Sequence, residues 1–455
     1  MKFINLVAIS WAISGLFSSS LMAQQQTCLT QLEDQELMMK SKREGLFREP
    51  LPRTHSTFSY NIEQAFSDYL TAAYLQISSE NPRANLPCPV YTDTYQQLVA
   101  QGARPANATV ADLISPFELK QANSRKAVLL IHGLTDSPFT YHDLAQVYYQ
   151  QGYTVRTILL PGHGTAPAAL RDIDADDWQK ASVYAIERTL KDFDQVILGG
   201  YSTGAALVID YLTQGPVDSK VTAAMLFSPA SEPHNKNGWL AKWVDAIPFV
   251  NWIDKDADLD FAKYESFPFS AASASHEAMS RISLDELRHR QLPNVAIFST
   301  FSDVDTTIDN QATFKILTKL HDPKTRKNNQ LDRLVYYGDD DNIPARFPAD
   351  YQIIRDDWDA DDCKKIKGMS HIGIVNKPSN PYYGRTALYR NCGSYLDDDK
   401  LYTACKYQKD VVMGERTAEN LQAHKPFARL TFNPYFDKLA MHINGFIKDI
   451  ESAAQ

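Results

Sequence analysis

Short, continuous apolar runs alternate with amphipathic stretches along the chain from residue 126 onward. Such apolar runs are typical of strands that are buried on both faces of a parallel sheet, and the amphipathic stretches have helical spacing. The predicted strands are 126–133, 153–164 with its loop, 195–200, 221–229 and 294–303, and the predicted helices are 137–152, 176–190 and 203–215. This alternation predicts an α/β fold, in which helices cover both faces of a mostly parallel sheet.

Two interruptions break the alternation. The first, at about 230–293, separates two predicted strands and is rich in aromatic residues, namely Trp239, Trp243, Phe249, Trp252, Phe261, Tyr264, Phe267 and Phe269. Core packing accounts for most of them, but the position of the insertion predicts a cap over the carboxyl edge of the sheet, where such sheets bind ligands. The second interruption, at about 322–362, precedes a last short strand at 364–371 and a closing helix at 433–450.

The chain ahead of the sheet divides into two parts. Residues 1–23 place a lysine before an apolar stretch and then small residues, which is typical of a signal peptide that is cleaved after Ala23. An uncleaved membrane anchor is the alternative. Residues 24–120 form an N-terminal extension of mixed helical and loop character, and residues 121–455 form the main domain with both insertions. No later segment approaches the ~20 apolar residues of a membrane span, so we expect an exported protein, periplasmic or secreted.

Composition bounds the size of the hydrophobic core, and the charge balance argues against a nucleic-acid partner. The 455 residues are 44% hydrophobic, which is enough for the core of one large domain with additions or for two or three ordinary domains. Lys and Arg number 46 against 55 Asp and Glu, which gives a formal charge of −9, and no basic block stands out. Nucleic acid is therefore not an expected partner.

The five cysteines fit an oxidising compartment. They contain no CxxC pair, so in an exported chain they are predicted to form disulfides rather than a metal site. We expect Cys28 to pair with Cys88 and Cys392 with Cys405, which leaves Cys363 single. Sequence alone does not determine connectivity, so this pairing is a hypothesis.

Candidate chemistry begins at residues 200–204, where GYSTG has the pattern G-x-S-x-G. An apolar strand runs directly into Ser202 and an Ala-rich helix runs directly out of it, which is the setting of a nucleophile elbow. The flanking glycines are expected because a Cβ at either position would collide with the tight turn. Ser202 is therefore the predicted nucleophile.

A serine nucleophile needs a histidine base and an orienting carboxylate, in the chain order Ser, acid, His. His371 is the predicted base because it follows a short strand, whereas His321, His424 and His442 suit helix-end or packing roles. Among the acids after a late strand, Asp305 fits best, with Asp303 as the alternative. The remaining candidate, Asp309, is predicted to cap the next helix.

The segments LLIHGLTDSPFTY, LLPGHG and GGYSTG, the DTTID run and the late SH pair resemble α/β-hydrolase-fold serine esterases, especially monoacylglycerol lipases and bacterial carboxylesterases. The resemblance covers about half the chain and implies the α/β-hydrolase fold. It also implies that the backbone N–H groups of Leu134 and Thr203 form an oxyanion hole, and that His132 and His163 are structural members of their loops. The long extension, the long gap between Asp305 and His371, and the added C-terminal segment depart from that family.

The predicted function is that of an exported serine hydrolase, which cleaves small acylglycerol- or lipid-like carboxylic esters with an apolar acyl chain. The reaction is expected to pass through an acyl-enzyme formed by Ser202, with His371 and Asp305 completing the triad, and to need no metal or organic cofactor. A serine aminopeptidase of the same fold is one alternative, in which Asp254, Asp256 and Asp258 would hold the substrate amine. A noncatalytic envelope binding protein is the other. The acidic run with Asp357, Asp359 and Asp361 departs from a calcium loop at the expected glycine and glutamate, so we interpret it as solvated.

Overall fold

The apolar runs form the strands of one central sheet in the structure, a computed structural model that describes residues 26–234, 251–322, 329–356 and 362–453. The strands are β1 (Glu118–Leu119), β2 (Lys126–Ile131), β3 (Thr154–Ile158), β4 (Gln195–Tyr201), β5 (Val221–Phe227), β6 (Trp252–Asp254), β7 (Phe267–Pro268), β8 (Ala296–Ser302), β9 (Arg333–Tyr337), β10 (Gln352–Ile354), β11 (Ile366–Lys367), β12 (Val412–Gly414) and β13 (Phe427–Arg429).

The helices follow the predicted amphipathic stretches and also fill the N-terminal extension. They are α1 (Cys28–Glu33), α2 (Gln35–Glu44), α3 (Phe66–Glu80), α4 (Asp93–Ala100), α5 (Val110–Ile114), α6 (His142–Gln150), α7 (Ala175–Asp192), α8 (Thr203–Thr213), α9 (Phe269–Ser280), α10 (Leu284–Leu287), α11 (Asn310–Leu320), α12 (Asp362–Lys365), α13 (Asp399–Tyr407), α14 (Ala418–Ala423) and α15 (Phe436–Ala453). In the described part of the chain, no helix has both the length and the apolar content to cross a membrane.

The central sheet has eight strands in the order β1-β3-β2-β4-β5-β8-β9-β10, and only β1 is antiparallel to its neighbour. In β2, the residues from Ala127 to Ile131 are fully buried, because helices cover both faces. Leu129 packs with α7 and α8 on one face, and Leu130 packs with α6 and α15 on the other. Each such side chain contributes about 1.5–3 kcal/mol of hydrophobic stabilisation. The predicted α/β class is confirmed.

The second predicted interruption is wrong in part. The segment 322–362 contains β9 and β10, which continue the sheet beyond β8 in parallel register. The buried run RLVYY at 333–337 is short and lies beside charged and turn-forming residues, so its strand character is weak in the sequence. The last strand, predicted at 364–371, is reduced to β11. It pairs with β12 in a separate three-stranded sheet instead of joining the main sheet.

The N-terminal extension packs on the sheet rather than standing apart from it. Phe66 and Tyr69 of α3 belong to the same core cluster as α7 and α8. The Tyr69 hydroxyl donates to the carbonyl of Leu159 at 3.2 Å and accepts from its N–H at 2.7 Å. The Arg83 guanidinium donates to the carbonyl of Leu259 at 2.9 Å and thereby reaches the first insertion.

The cysteines pair as the sequence hypothesis expects. Cys28 is bonded to Cys88, which ties α1 to the loop ahead of α4, and Cys392 is bonded to Cys405 of α13. The side chain of Cys363 lies outside the described part of the chain.

The segment of the first predicted insertion lies between β5 and β8. Its predicted aromatic residues Trp239, Trp243 and Phe249 lie outside the described residues. The rest of the insertion supplies β6, β7, α9 and α10. Phe261 is buried against Phe139, with 5.0 Å between ring centroids, so core packing is the role of this aromatic residue.

Candidate active site

Ser202 lies at the sharp turn between β4 and α8. Its φ of 52° and ψ of −117° put a non-glycine residue in a sparsely populated conformation, which only a well-packed turn sustains. A Cβ on Gly200 would lie 2.4 Å from the amide nitrogen of Ala205, and a Cβ on Gly204 would lie 1.9 Å from the carbonyl oxygen of Ile131. The flanking glycines are therefore sterically required, as the sequence pattern predicts.

The loop after β8 and the loop after β11 bring Asp305 and His371 to Ser202. The His371 Nε2 lies 3.0 Å from the Ser202 Oγ, and its Nδ1 lies 2.6 Å from the Asp305 Oδ2. All three residues are buried, with Ser202 the most accessible at 9% exposed. The other carboxylate oxygen of Asp305 accepts the N–H groups of Thr307 at 2.7 Å and Ile308 at 3.1 Å, which orients the carboxylate toward the imidazole.

The neighbouring aspartates of the same loop have other partners. Asp303 accepts the N–H of Asp339 at 3.1 Å and the side-chain amide of Asn342 at 3.0 Å, so its carboxylate faces the loop after β9. Asp309 accepts the N–H of Ala312 at 3.1 Å and is the N-cap of α11, as predicted.

A buried ion pair lies behind the histidine. Glu415 accepts the backbone N–H of His371 at 2.9 Å and forms an ion pair with Arg429, also at 2.9 Å. Its second oxygen accepts the hydroxyl of Thr306 at 2.8 Å, next to Asp305 in the chain. Sequence reasoning missed this pair, because no motif marks either residue and both come from the added C-terminal segment.

The charges around Asp305 keep its carboxylate ionised. Burial on its own raises the pKa of a carboxyl group. The charge and hydrogen bond of His371, together with the Arg429 guanidinium, outweigh burial and hold the pKa of Asp305 below its ordinary value. An ionised carboxylate at this position favours the Nδ1-protonated imidazole, which leaves the Nε2 lone pair facing the serine hydroxyl.

The predicted oxyanion-hole residues line the same cavity as Ser202. Thr203 is the first residue of α8, where backbone N–H groups have no partner within the helix, and Leu134 follows β2. The adjoining loops are held by His132 Nε2, which accepts the N–H of Leu160 at 3.0 Å, and by His163 Nε2, which accepts that of Thr135 at 3.1 Å.

Both loop histidines are fully buried. Burial lowers the pKa of His132 to about 4 and that of His163 to about 3, so both are neutral at physiological pH. Their hydrogen bonds fit the structural role that the sequence analysis assigns to them.

The cavity above Ser202 has a volume of about 360 Å³. Apolar side chains line part of it, among them Phe267 and Met279 from the first insertion, and Asp254, Asp256 and Arg416 line its polar part. In the part of the chain that the structure describes, no group of three or more His, Cys, Asp or Glu side chains is arranged to hold a metal ion. The acidic run at 357–361 lies outside the described residues.

The carboxylates proposed for an amine subsite divide between two environments. Asp258 faces inward, accepts the N–H of Ser266 at 2.7 Å and lies 3.5 Å from Arg48. Asp256 lines the cavity but accepts hydrogen bonds from Tyr402 and the Ala257 N–H, and burial, followed by the charge of Glu265, raises its pKa to about 6. Asp254 is exposed in the cavity.

Comparison with known proteins supports the same fold. Residues 122–346, just under half of the chain, match the model of the Hydrolase_4 family, described as serine aminopeptidase, S33. The central sheet and the turn at Ser202 have the arrangement of the α/β-hydrolase fold. A thermostable monoacylglycerol lipase of Bacillus sp. (strain H-257) is 32% identical to this protein over 130 residues, which are 28% of the chain and 51% of the relative. The chain thus spans about half the length of that relative.

Solved structures that are similar to this protein include two monoacylglycerol lipases. A soluble variant of monoglyceride lipase from Saccharomyces cerevisiae, in complex with a substrate analogue, is 15% identical with a TM-score of 0.40, over 53% of this chain and 85% of that one. The monoacylglycerol lipase of Paleococcus ferrophilus is 17% identical with a TM-score of 0.38, over 49% of this chain and 88% of that one.

Proposed function

We propose that the protein is a serine hydrolase that cleaves small carboxylic esters through an acyl-enzyme. The observation that carries this proposal is the continuous hydrogen-bonded chain from Ser202 Oγ through His371 to Asp305. In the proposed mechanism, the Ser202 oxygen attacks the acyl carbon while Nε2 of His371 takes the hydroxyl proton. That proton then passes to the leaving alcohol, and a water molecule repeats the sequence to release the acid.

Asp305 fixes the imidazole and stabilises its charged form during both steps. The backbone N–H groups of Leu134 and Thr203 are proposed to stabilise the oxyanion of each tetrahedral intermediate. Loss of one such donor typically costs ~100-fold or more in rate. No step of this sequence calls for a metal or an organic cofactor.

The apolar part of the cavity supports a substrate with an apolar acyl chain. Phe267, Met279 and Ile308 line it together with Leu134, and such surfaces bind hydrocarbon by excluding water from both partners. A small acylglycerol-like ester is the substrate class that this lining favours.

An aminopeptidase is the second candidate, because Asp254 and Asp256 line the cavity and the matched family is described as a serine aminopeptidase. A direct assay compares short-chain nitrophenyl esters with aminoacyl anilides on the same preparation. We expect turnover of the esters, and turnover of the anilides alone would favour the peptidase. Ser202→Ala should abolish turnover and labelling by a fluorophosphonate probe. A wild-type protein that neither turns over nor labels would instead be a noncatalytic binding protein.

We also infer that the protein is exported to the periplasm or the medium. The predicted signal peptide at 1–23 supports this inference, as do the two disulfides, which persist in oxidising compartments. Mass spectrometry of the exported protein should find a chain that begins near Gln24, and an intact Met1 would contradict the cleavage.

A further inference from the structure

Two guanidinium groups lie on one wall of the cavity above Ser202. Arg416 and Arg429 both line the cavity, and the charge of Arg429 is the largest influence that lowers the pKa of Arg416, to about 10, ahead of burial. Two like charges at close range repel each other, and the carboxylates of Glu415, Asp254 and Asp305 offset this repulsion only in part, because the pKa of Arg416 stays lowered. The wall is therefore electrostatically suited to a negatively charged group.

Arg416 is attracted by the charges of Glu415, Asp254 and Asp305, but its guanidinium is in direct contact with none of them. Its side chain is exposed at the cavity and forms no hydrogen bond or ion pair within the described part of the chain. Asp254 lies on the same cavity but outside ion-pair distance of Arg416. By contrast Lys263, another cation on the wall, is paired with Asp136 at 3.0 Å.

Arg429 also keeps donor capacity. Its Nη2 donates to Glu415 at 2.9 Å and to the Thr307 hydroxyl at 2.7 Å. Its Nε is buried and has no acceptor among the residues that the structure describes, and the whole residue is 7% exposed. A buried N–H without an acceptor costs free energy, so the hydrogen bonds of this guanidinium to the protein are incomplete.

We propose that Arg416 and Arg429 form a subsite for an anionic group, and that the preferred substrate is an ester that also carries a carboxylate or a phosphate. The inference rests on the proposed ester hydrolysis and names its substrate class. Guanidinium groups recognise both anions through paired N–H donors. The same wall would repel the ammonium group of an aminopeptidase substrate.

The test uses two matched substrate pairs. Mono(4-nitrophenyl) glutarate is compared with 4-nitrophenyl pentanoate for a charge on the acyl side, and 1-butanoylglycerol 3-phosphate is compared with 1-butanoylglycerol for a charge on the alcohol side. The measured quantity is the ratio of kcat/KM for the anionic ester to that for the neutral ester. We expect at least one ratio to exceed unity for the wild-type protein.

Arg416 variants then report on the subsite. Arg416→Gln should lower the elevated ratio about 10-fold or more, Arg416→Lys should retain part of it, and Arg416→Glu should bring it below unity. Arg288→Gln is the matched control, because Arg288 is exposed on the segment after α10, is paired with Asp285 and lies outside the cavity lining. Equal ratios in wild type, Arg416→Gln and Arg416→Glu for both substrate pairs would overturn the proposal.

A binding measurement separates failure of the subsite from failure of the proposed function. Glutarate and inorganic phosphate are titrated calorimetrically into full-length Ser202→Ala and into Ser202→Ala with Arg416→Gln. Anion binding that depends on Arg416 without Ser202-dependent hydrolysis would retain the subsite and reject the esterase. Ser202-dependent hydrolysis of neutral esters, with no anion binding and with the same kcat/KM ratios in wild type and the Arg416 variants, would retain the esterase and reject the subsite.

Discussion

The candidate active site has a nucleophile side and a base side, named for the roles proposed for Ser202 and His371, and different forces hold the two sides in place. On the nucleophile side, Ser202 sits on a turn between a central strand and a helix, where the absence of a Cβ on Gly204 allows contact with the Ile131 carbonyl. On the base side, His371 lies in a loop that is held by the charged groups of Asp305, Glu415 and Arg429. Close packing does not depend on protonation, whereas charged hydrogen bonds do, so the two sides should fail under different perturbations.

The largest effect is expected on the base side. Asp305→Asn keeps the shape of the side chain but removes the charge that stabilises the imidazolium, and in a Ser-His-Asp system this costs up to ~10⁴-fold in kcat. Asp303→Asn is the matched control, because Asp303 faces the loop after β9. Steady-state kinetics with a nitrophenyl ester measure kcat for the two variants. Collapse of Asp303→Asn with normal activity of Asp305→Asn would transfer the role to Asp303.

On the nucleophile side, Gly204→Ala should break the packing itself. The added Cβ would meet the Ile131 carbonyl oxygen at 1.9 Å, which the turn cannot relieve without shifting β2 or α8. We expect a loss of about 3 kcal/mol or more in the free energy of unfolding, measured by chemical denaturation. Gly215→Ala is the control, because a Cβ at that position has no atom within 4 Å. Similar stability of the two variants would show that the elbow is not sterically limited.

Glu415→Gln tests the contacts of Glu415, which binds the His371 backbone and Arg429 but does not touch the reacting atoms. Glutamine keeps an acceptor for the His371 N–H but leaves the Arg429 charge uncompensated. For a neutral nitrophenyl ester, we expect kcat to fall about 10-fold with little change in KM, because the base is displaced while the apolar part of the cavity is retained. Each tenfold is ~1.4 kcal/mol of barrier. Glu419→Gln, on the exposed start of α14, should change neither constant. An equal rise in KM would assign Glu415 to substrate binding.

The smallest expected effect is the pH dependence of stability. The pKa of Asp305 in the folded protein lies below its ordinary 3.8, so its charged contacts stabilise the fold at higher pH. That contribution should be fully present above the ordinary value and lost as the pH falls through the folded pKa. The stability difference between wild type and Asp305→Asn, from urea denaturation at several pH values, should therefore shrink in acid. A difference that grows in acid would contradict the lowered pKa.

The same contrast separates what the sequence predicts from what it does not. The strand-elbow-helix around Ser202 has strong local signals, namely an apolar run, two glycines and a helical pattern, so it was predictable within a few residues. The loop positions of Asp305 and His371 were predictable once a serine nucleophile was assumed, because the fold determines their order along the chain. The structure brings all three within hydrogen-bond distance, and their catalytic roles stay proposals.

Local sequence patterns did not predict that Glu415 and Arg429 lie behind His371. Strands β11, β12 and β13 have two or three residues each, which is too short for a periodic pattern. They nevertheless align Glu415 and Arg429 behind the histidine, since β12 pairs with both of its neighbours. Contacts of this kind depend on tertiary arrangement, and without aligned relatives a single sequence carries no signal for them.

The hydrogen bond from Arg83 to the Leu259 carbonyl has a consequence for dissection of the chain. This bond ties the loop between α3 and α4 to the segment of the first insertion that lines one side of the cavity. The N-terminal extension and that segment should therefore unfold as one cooperative unit. A fragment cut to residues 122–346 would lose this clamp and also His371. Shorter versions of the protein should therefore be made by trimming loops within the full chain rather than by excising residues 122–346.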